Sequence, residues 1–195
     1  MLQGIGASQG YGIGKAVIIE DINLDYSAVK YTTAQEEKAR LAKAVEAFTV
    51  ETRAMAEGLK ASAGEKEAEI LEGHLTMLAD PFMLSQMNDK IDGGAVAEAA
   101  VDDVCTMFYD MFAGVDDEMM RQRASDVKDI RDSMIRILLG VKSIDIASVP
   151  KGTVLIAKDF TPSMTSQINK ENVSAIVTEV GGVTSHSAIL ARAMG

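Results

Sequence analysis

The fold is decided by residues 174–194, which read SAIVTEVGGVTSHSAILARAM. Ser174–Thr178 is short and rich in β-branched residues, so it predicts a strand, and the glycine pair Gly181-Gly182 predicts a turn directly after it. Apolar residues then recur at helical spacing. A strand, a glycine turn and a polar helix start commonly hold a reactive group at the carboxyl edge of a sheet. We therefore expect an α/β domain that presents His186 at the start of its last helix.

His186 has the chemistry of a covalent phosphoryl carrier. Imidazole titrates near neutral pH and is a good nucleophile when it is unprotonated. The first N–H groups of a helix, together with the helix dipole, stabilise an anion bound there. The alternative is a histidine that only caps the helix or lies on the surface, which is the more frequent role at a helix start. The chain has only two histidines, so imidazole chemistry has few candidates.

The ends of the chain and its middle differ in periodicity. Gly14–Glu20 and Thr153–Ala157 have the composition of strands. Between them, a capping box at Thr33–Glu36 opens a long segment with apolar residues at helical spacing. We predict four helices in this segment, with Asp80-Pro81 marking either a break or the next start.

The distribution of strands predicts an insertion. A single N-terminal strand does not form a stable sheet alone. We therefore predict a discontinuous α/β domain made of residues 1–32 and 144–195, interrupted by an all-α helical-bundle subdomain at 33–143. Two consecutive domains are the alternative.

The net charge of the 195-residue chain is −10, and most of it lies in the helical segment. Residues 33–143 hold 13 Lys and Arg against 22 Asp and Glu, a balance of −9. An acidic chain lacks the basic face that a nucleic-acid binder needs. The acidic segment is therefore either a solubilising surface or a docking face for a basic partner.

Composition is typical of a globular protein from a reducing compartment. Apolar residues make up 47% and charged residues 25% of the chain, and no apolar run is long enough to span a membrane. The N-terminus does not resemble a signal peptide. Cys105 is the only cysteine, which excludes an intrachain disulfide, and its apolar neighbours predict a core thiol. We expect the protein to be cytoplasmic.

The remaining motifs each have a structural alternative. The glycines from Gly4 to Gly14 fail both the P-loop and the dinucleotide patterns, so backbone turns are favoured. Phe160–Thr165 predicts a loop that opens a short helix, with hydroxyls that either cap it or bond an imidazole or phosphate. His74 lies on the apolar side of its helix, as a core histidine would. Neither an HExxH motif nor paired cysteines indicate a metal site.

The chain also carries seven short motifs that stand out as a set. In chain order they are Gly4–Gly10, Gly14–Ala16, Ile70–His74, Asp116–Glu118, Arg123–Asp129, Thr161–Ser163 and Gly181–His186. Together they resemble enzyme I, the phosphoenolpyruvate-protein phosphotransferase family of the bacterial sugar phosphotransferase system. The last motif alone is also similar to those of pyruvate phosphate dikinase and phosphoenolpyruvate synthase.

The resemblance implies roles for specific residues. It implies that His186 is phosphorylated at Nε2, takes the phosphoryl group from phosphoenolpyruvate and passes it to a histidine of the carrier protein HPr. It implies that Thr165 hydrogen-bonds His186 in the resting state. The helical subdomain would bind HPr through Glu65, Glu67, His74, Met77, Asp80, Met83, Met119, Met120 and Arg123.

The family also implies what this chain would lack. Its members continue beyond Gly195, with strands that complete the phosphohistidine domain and a C-terminal barrel that binds phosphoenolpyruvate and Mg²⁺ and forms the homodimer. We therefore expect a C-terminally incomplete phosphohistidine (swivelling) domain that is monomeric, binds no cofactor itself and does not accept phosphate from phosphoenolpyruvate unaided. The alternative is a module that binds HPr without catalysing transfer. A dikinase-type swivelling domain is a third possibility, which the N-terminal motifs and the helical insertion disfavour.

Overall fold

The computed structural model describes residues 4–142, 145–183 and 185–194. In chain order its elements are β1 (Lys15–Ile19), α1 (Ala34–Ser62), α2 (Glu65–Leu78), α3 (Pro81–Asp92), α4 (Ala97–Ala113), α5 (Glu118–Leu138), β2 (Thr153–Ala157), α6 (Pro162–Thr165), β3 (Val173–Thr178) and α7 (His186–Met194). The protein is mostly helical with one small parallel sheet. Within the described residues, no helix has the length and apolarity needed to cross a membrane.

The three strands form a parallel sheet in the order β1-β2-β3. Lys15 pairs with Thr153, and Val154 pairs with Ala175. The three predicted strands are confirmed at these positions, and both ends of the chain contribute to one sheet. Parallel strands need a crossover connection. The connection from β1 to β2 consists of the entire helical segment.

Alternation along β2 decides which face of the sheet is buried. Thr153, Leu155 and Ala157 are buried while the residues between them are partly exposed, as the two-residue period of a strand requires. Leu155 and Ala157 pack in an apolar cluster with Ile19, Ile146, Phe160 and Ile168. This packing fixes the ends of β2 and β3, after which α6 and α7 begin.

The helical segment contains five helices, so the prediction of four was wrong. The additional helix is α3, which begins at Pro81. The Asp80 carboxylate accepts hydrogen bonds from the backbone N–H groups of Phe82 and Met83, and proline at the first helical position needs no N–H partner. The same two residues that end α2 therefore start α3.

A second apolar cluster lies among these helices. It contains residues from all five helices α1–α5, including Phe48, Leu78, Met87, Val101 and Met134. Cys105 is fully buried there, and burial raises the pKa of its thiol to about 12, so the predicted core thiol is confirmed.

Contacts divide the chain into two compact units. The sheet unit comprises Met1–Asp21, Met55–Glu69 and Ile144–Gly195, and the helical unit comprises Ile22–Ala54 and Ile70–Ser143. The second half of α1 and the first residues of α2 thus group with the sheet, although the predicted division placed them in the helical subdomain. Helical periodicity identifies a helix but not which element each of its turns packs against, so the predicted boundaries stay a prediction.

Candidate functional site

Two loops at the carboxyl ends of neighbouring strands bring His186 and Thr165 together. The first loop leaves β2 and opens α6, in which the Thr161 side chain caps the helix by accepting from the N–H of Met164. The second leaves β3 and opens α7, whose first residue is His186. The carboxyl ends of parallel strands lie at one edge of a sheet, so consecutive loops from that edge meet.

The central contact joins the Thr165 hydroxyl to the His186 ring. Thr165 Oγ1 lies 3.0 Å from His186 Nε2, and the threonine is fully buried. The same hydroxyl oxygen lies 3.0 Å from the carbonyl oxygens of Thr161 and Pro162 in its own helix. The geometry implied for these two residues by the family resemblance is therefore present between α6 and α7.

This hydrogen bond occupies Nε2 in either tautomer of the ring. A threonine hydroxyl has one proton to donate and lone pairs to accept with. If it donates to a carbonyl of α6, it accepts from a protonated Nε2. If it donates to Nε2, it covers the lone pair that a nucleophile needs. In both cases Nε2 cannot attack phosphorus until this bond breaks.

The turn before α7 is built from glycine and serine. Gly181 has φ of +106°, a conformation that side-chain-bearing residues rarely adopt. The Ser185 hydroxyl accepts from the N–H of Ala188 at 3.3 Å, which is the geometry of an N-cap, and lies 3.2 Å from the Ser187 hydroxyl. The residues directly before and after His186 therefore both carry hydroxyl groups. Thr184 lies outside the described residues.

No candidate metal centre accompanies this site. Across residues 4–142, 145–183 and 185–194, no three or more His, Cys, Asp or Glu side chains come together in a way that could hold an ion.

The helical unit has an exposed apolar surface on α4 and the start of α5. We name it the α4–α5 patch, and it consists of Met107, Met111, Val115, Met119 and Met120. Met107 and Met111 are four residues apart within α4, which places them on one side of that helix, and Val115 follows the end of α4. Exposed apolar patches often mark interaction sites, and methionine adapts to varied partners.

The predicted partner-binding residues divide into exposed and buried groups. Met119 is 66% exposed, Met120 and Arg123 are also exposed, and Asp80 is exposed as the cap of α3. Met77 is half-buried. Met83 and His74, at 1% and 2% exposed, lie in the interior and cannot touch a partner in this conformation.

Glu65 and Glu67 belong to the sheet unit. Glu65 is exposed and pairs with Lys60 at 2.5 Å, and this hydrogen bond lowers the pKa of the carboxyl. Glu67 is partly buried.

The sequence interpretation missed an aromatic cluster. Phe82 is 59% exposed and meets Phe108 edge to face at 6.1 Å between ring centres, and Phe108 lies 6.2 Å from Phe112. Spacing by four residues on α4 could have identified the second pair. The pairing of Phe82 with α4 required knowledge of α3.

His74 stands in a buried polar cluster. Its Nε2 lies 3.5 Å from Asp126 Oδ1, and its Nδ1 lies 3.9 Å from Asp129 Oδ2. The second oxygen of Asp126 lies 3.4 Å from Arg123 Nη1. The predicted core position of His74 is confirmed, and its Nε2 is buried without a hydrogen-bond partner among the described residues, although it lies near the Asp126 carboxylate.

Comparisons with known proteins agree with this arrangement. The family model described as "PEP-utilising enzyme, N-terminal" matches residues 3–123, and the model for "PEP-utilising enzyme, mobile domain" matches residues 149–195. The phosphoenolpyruvate-protein phosphotransferase of Priestia megaterium is 40% identical over 99% of the chain, and that of Bacillus subtilis (strain 168) is 35% identical over 99%. The chain spans about a third, 34%, of the length of each of these two relatives.

Two solved structures have the same fold. The solution structure of "Enzyme I (nEIt)" is 34% identical, with a TM-score of 0.83, and the match covers 100% of this chain and 79% of that one. The "N-terminal domain of Enzyme 1 - Nitrogen" matches 98% of this chain and 79% of its own with a TM-score of 0.67, and at 23% identity it supports the fold alone. With the N-terminal family model matching most of its length, and a solved enzyme I structure agreeing over all of it, this chain belongs to the family of phosphoenolpyruvate-utilising enzymes as an enzyme I N-terminal domain.

Proposed function

We propose that the chain is the phosphoryl-carrying part of a phosphoenolpyruvate-protein phosphotransferase and that His186 forms the phosphohistidine. The observation that carries this proposal is the 3.0 Å contact between Thr165 Oγ1 and His186 Nε2 at the start of α7. It holds the ring where the N-terminal turn of a helix favours negative charge. The α/β unit would then act as a phosphohistidine (swivelling) domain.

The chemistry requires two displacements at one phosphorus atom. Unprotonated Nε2 attacks the phosphorus of phosphoenolpyruvate, a P–N bond forms, and the bridging P–O bond breaks to leave the enolate, which takes up a proton to become pyruvate. A histidine nitrogen of HPr then attacks the same phosphorus, and the electron pair of the breaking P–N bond returns to His186. Positioning and charge stabilisation account for most catalysis of this kind.

The hydrogen bond between Thr165 and His186 must break before the transfer and can form again after it. Because that bond occupies Nε2, the ring must leave the hydroxyl before it attacks. After it passes the phosphoryl group on, the ring can return, and Thr165 restores one defined orientation. The threonine is thus a positioning residue for both the start and the end of the cycle.

The helical unit would supply the docking face for HPr. Its acidic surface complements a basic partner, and the α4–α5 patch offers apolar contacts. Exposed Met119, Met120 and Arg123 would contact the carrier. Buried His74 and Met83 would pack beneath the exposed residues and stabilise the docking face.

Phosphoenolpyruvate and Mg²⁺ would be bound by the remainder of the longer enzyme, which is also where a homodimer would form. The described residues bring together no set of metal ligands. On this proposal the chain by itself is phosphorylated by phospho-HPr and not by phosphoenolpyruvate.

The second candidate is a module that binds HPr without chemistry. The exposed α4–α5 patch favours it, because that surface is independent of His186. Incubation of the chain with phospho-HPr separates the two. We expect acid-labile, base-stable phosphate on the chain, as a P–N bond gives, and its loss in His186→Ala.

His74→Gln is the matched control for that experiment, since it removes the only other imidazole. His186 should still be phosphorylated in this variant, and the readout is the site of the phosphate rather than its rate, because His74 lies beneath the proposed docking face. Binding of phospho-HPr without any transfer of phosphate would leave the binding module as the function. Phosphate that persists in His186→Ala would contradict the assignment of the residue.

A further inference from the structure

The glycine-containing N-terminal segment has no part in the site described above. Residues 4–14, which we name the N-terminal strap, precede β1 and make two kinds of close contact inside the sheet unit. One is with the amino ends of the strands, and the other is with the last helix. The contact with Arg192 involves α7, the helix that begins with His186, and the contact of Gly12 involves β3, the strand that precedes this helix.

The first contact is a close backbone approach that excludes side chains. A Cβ atom at Gly12 would lie 2.3 Å from the Ser174 carbonyl oxygen and 2.5 Å from the Ala175 Cβ. Two residues later, a Cβ at Gly14 would lie 2.1 Å from the Gly152 carbonyl oxygen. The strap therefore crosses the amino end of β3, then the residue before β2, and enters β1, where Lys15 N–H donates to that same carbonyl at 2.9 Å.

The second contact is an exposed hydrogen bond that joins α7 to the strap. Arg192 Nη1 donates to the carbonyl oxygen of Ala7 at 2.8 Å. Arg192 lies six residues after His186, or about 9 Å along the helix axis. Between them Ala188 and Leu190 are buried, so one face of the helix packs on the unit.

Helix α7 is thus held at two points along its described length. At its start, His186 contacts Thr165 and Ser185 caps the first turn. Six residues later, Arg192 donates to the strap, and the strap closely approaches the amino end of β3, the strand that precedes the helix.

We infer that the N-terminal strap positions His186 by fixing the axis of α7 through Arg192 and Gly12. The catalytic part of this inference rests on the proposed function, since it assumes that His186 carries phosphate. A ring that leaves Thr165 to react must return to the same place, and a small displacement of a reacting group slows transfer strongly. Gly12 and Arg192 are positioning residues, because neither touches the imidazole.

The test compares two glycine variants of the whole chain. Gly12→Ala places a methyl group against the Ser174 carbonyl and lifts the strap, whereas a Cβ at Gly6 meets nothing within 4 Å. In Gly12→Ala we expect the rate of amide hydrogen exchange in α7 to rise about tenfold. We also expect the ¹⁵N chemical shift of His186 Nε2 to move away from the value that it has when hydrogen-bonded to Thr165. Gly6→Ala should match the unsubstituted chain in both measurements.

Arg192 provides an independent pair of variants. Arg192→Leu removes the donor to Ala7 while keeping an apolar stem, and Arg192→Lys restores a donor. We expect Arg192→Leu to slow phosphate uptake from phospho-HPr about fivefold with unchanged affinity for the carrier, and Arg192→Lys to recover most of that rate. These variants keep the inference testable if Gly12→Ala fails to fold.

The outcomes separate the inference from the proposed function. If Gly12→Ala and Arg192→Leu leave α7 exchange and the Nε2 resonance unchanged, the strap does not position His186. If the unsubstituted chain never acquires phosphate at His186 but both variants still loosen α7, the proposed function fails and the anchoring of the helix stands.

Discussion

At Thr165, one hydroxyl faces two carbonyl oxygens and an imidazole nitrogen, each at 3.0 Å. The carbonyls of Thr161 and Pro162 already accept from backbone N–H groups of the next turn. The contact with His186 is therefore the one that would be lost without replacement if the hydroxyl were removed.

Thr165→Val tests this contact with little change in shape. The valine cannot hold the ring, so we expect His186 to sample several rotamers and phosphate uptake from phospho-HPr to slow about tenfold. Rapid-quench measurement of the initial rate would report it. Thr165→Ser keeps the hydroxyl and should stay within about twofold of the original rate. Equal rates for the valine and serine variants would contradict the positioning role.

Single residues differ in how far the sequence could identify them. His186 was identifiable because a strand, a turn and a helix start are all local patterns. Its contact with Thr165 was available only through the family resemblance, since the two loops meet by way of the sheet. The contacts of His74 with Asp126 and Asp129 required the packing of α2 against α5, which no local pattern contains.

At the scale of elements, α3 shows where local signals are ambiguous. Asp80-Pro81 ends one helix and starts another, because a proline that cannot continue a helix is well suited to begin one. The Asp80 cap decides the outcome in the structure. The three strands were identifiable because short β-branched runs between turn residues rarely form any other element.

Gly58 offers a test of helix propensity in α1. It is an exposed residue in the interior of this 29-residue helix, and a Cβ there meets nothing within 4 Å. Gly58→Ala should raise the free energy of unfolding by about 0.5–1 kcal/mol, because alanine loses less backbone entropy. Thermal unfolding followed by circular dichroism would measure it. A lower melting temperature would show that the glycine has a role beyond the helix.

An ion-pair cluster ties the segment before α1 to α4 and α5. The Tyr26 hydroxyl donates to Asp102 Oδ2 at 2.5 Å, and Arg131 Nε donates to Asp102 Oδ1 at 2.5 Å. Burial alone would raise the pKa of the Asp102 carboxyl, but the hydrogen bonds from Arg131 and Tyr26 outweigh it and hold the pKa below 3.8.

The lowered pKa of Asp102 predicts how the free energy of unfolding changes at acid pH. A carboxyl with a depressed pKa in the folded state contributes its full stability above its unfolded value and loses it as the pH falls through the folded value. Stability from Asp102 should therefore be complete above about pH 5 and decline below about pH 4. Urea unfolding should show a shallower acid decline in Asp102→Asn, together with lower stability at neutral pH. Asp103→Asn, at an exposed pair with Lys90, is the matched control.

For the whole molecule, most of the net charge of −10 lies in residues 33–143, the greater part of which forms the unit that would bind the carrier. Association with a basic carrier should therefore be steered electrostatically, and its rate should fall about tenfold between ~50 mM and ~500 mM salt. Stopped-flow measurement with HPr would give the slope. Asp116→Asn, beside the α4–α5 patch, should lower the slope, whereas Glu171→Gln in the sheet unit should not. A rate independent of salt would exclude this steering.

The contribution of both chain ends to one sheet was predictable from the sequence, and the grouping of the helix turns was not. One strand at the N-terminus cannot form a sheet alone, which led to the insertion. The membership of Met55–Glu69 in the sheet unit was not accessible, because α1 is a continuous helix whose sequence shows no boundary at residue 55.

The pairing of Lys15 with Thr153 has a consequence for the order of folding. The backbone hydrogen bonds of the helices between these residues are local in sequence and form quickly, whereas the pairing of β1 with β2 requires the closure of a very long loop. During synthesis the helical unit can therefore finish folding while β1, which is synthesised earlier, is still unpaired. A ribosome-bound chain ending before Thr153 would protect its helices from proteolysis and leave β1 open to cleavage.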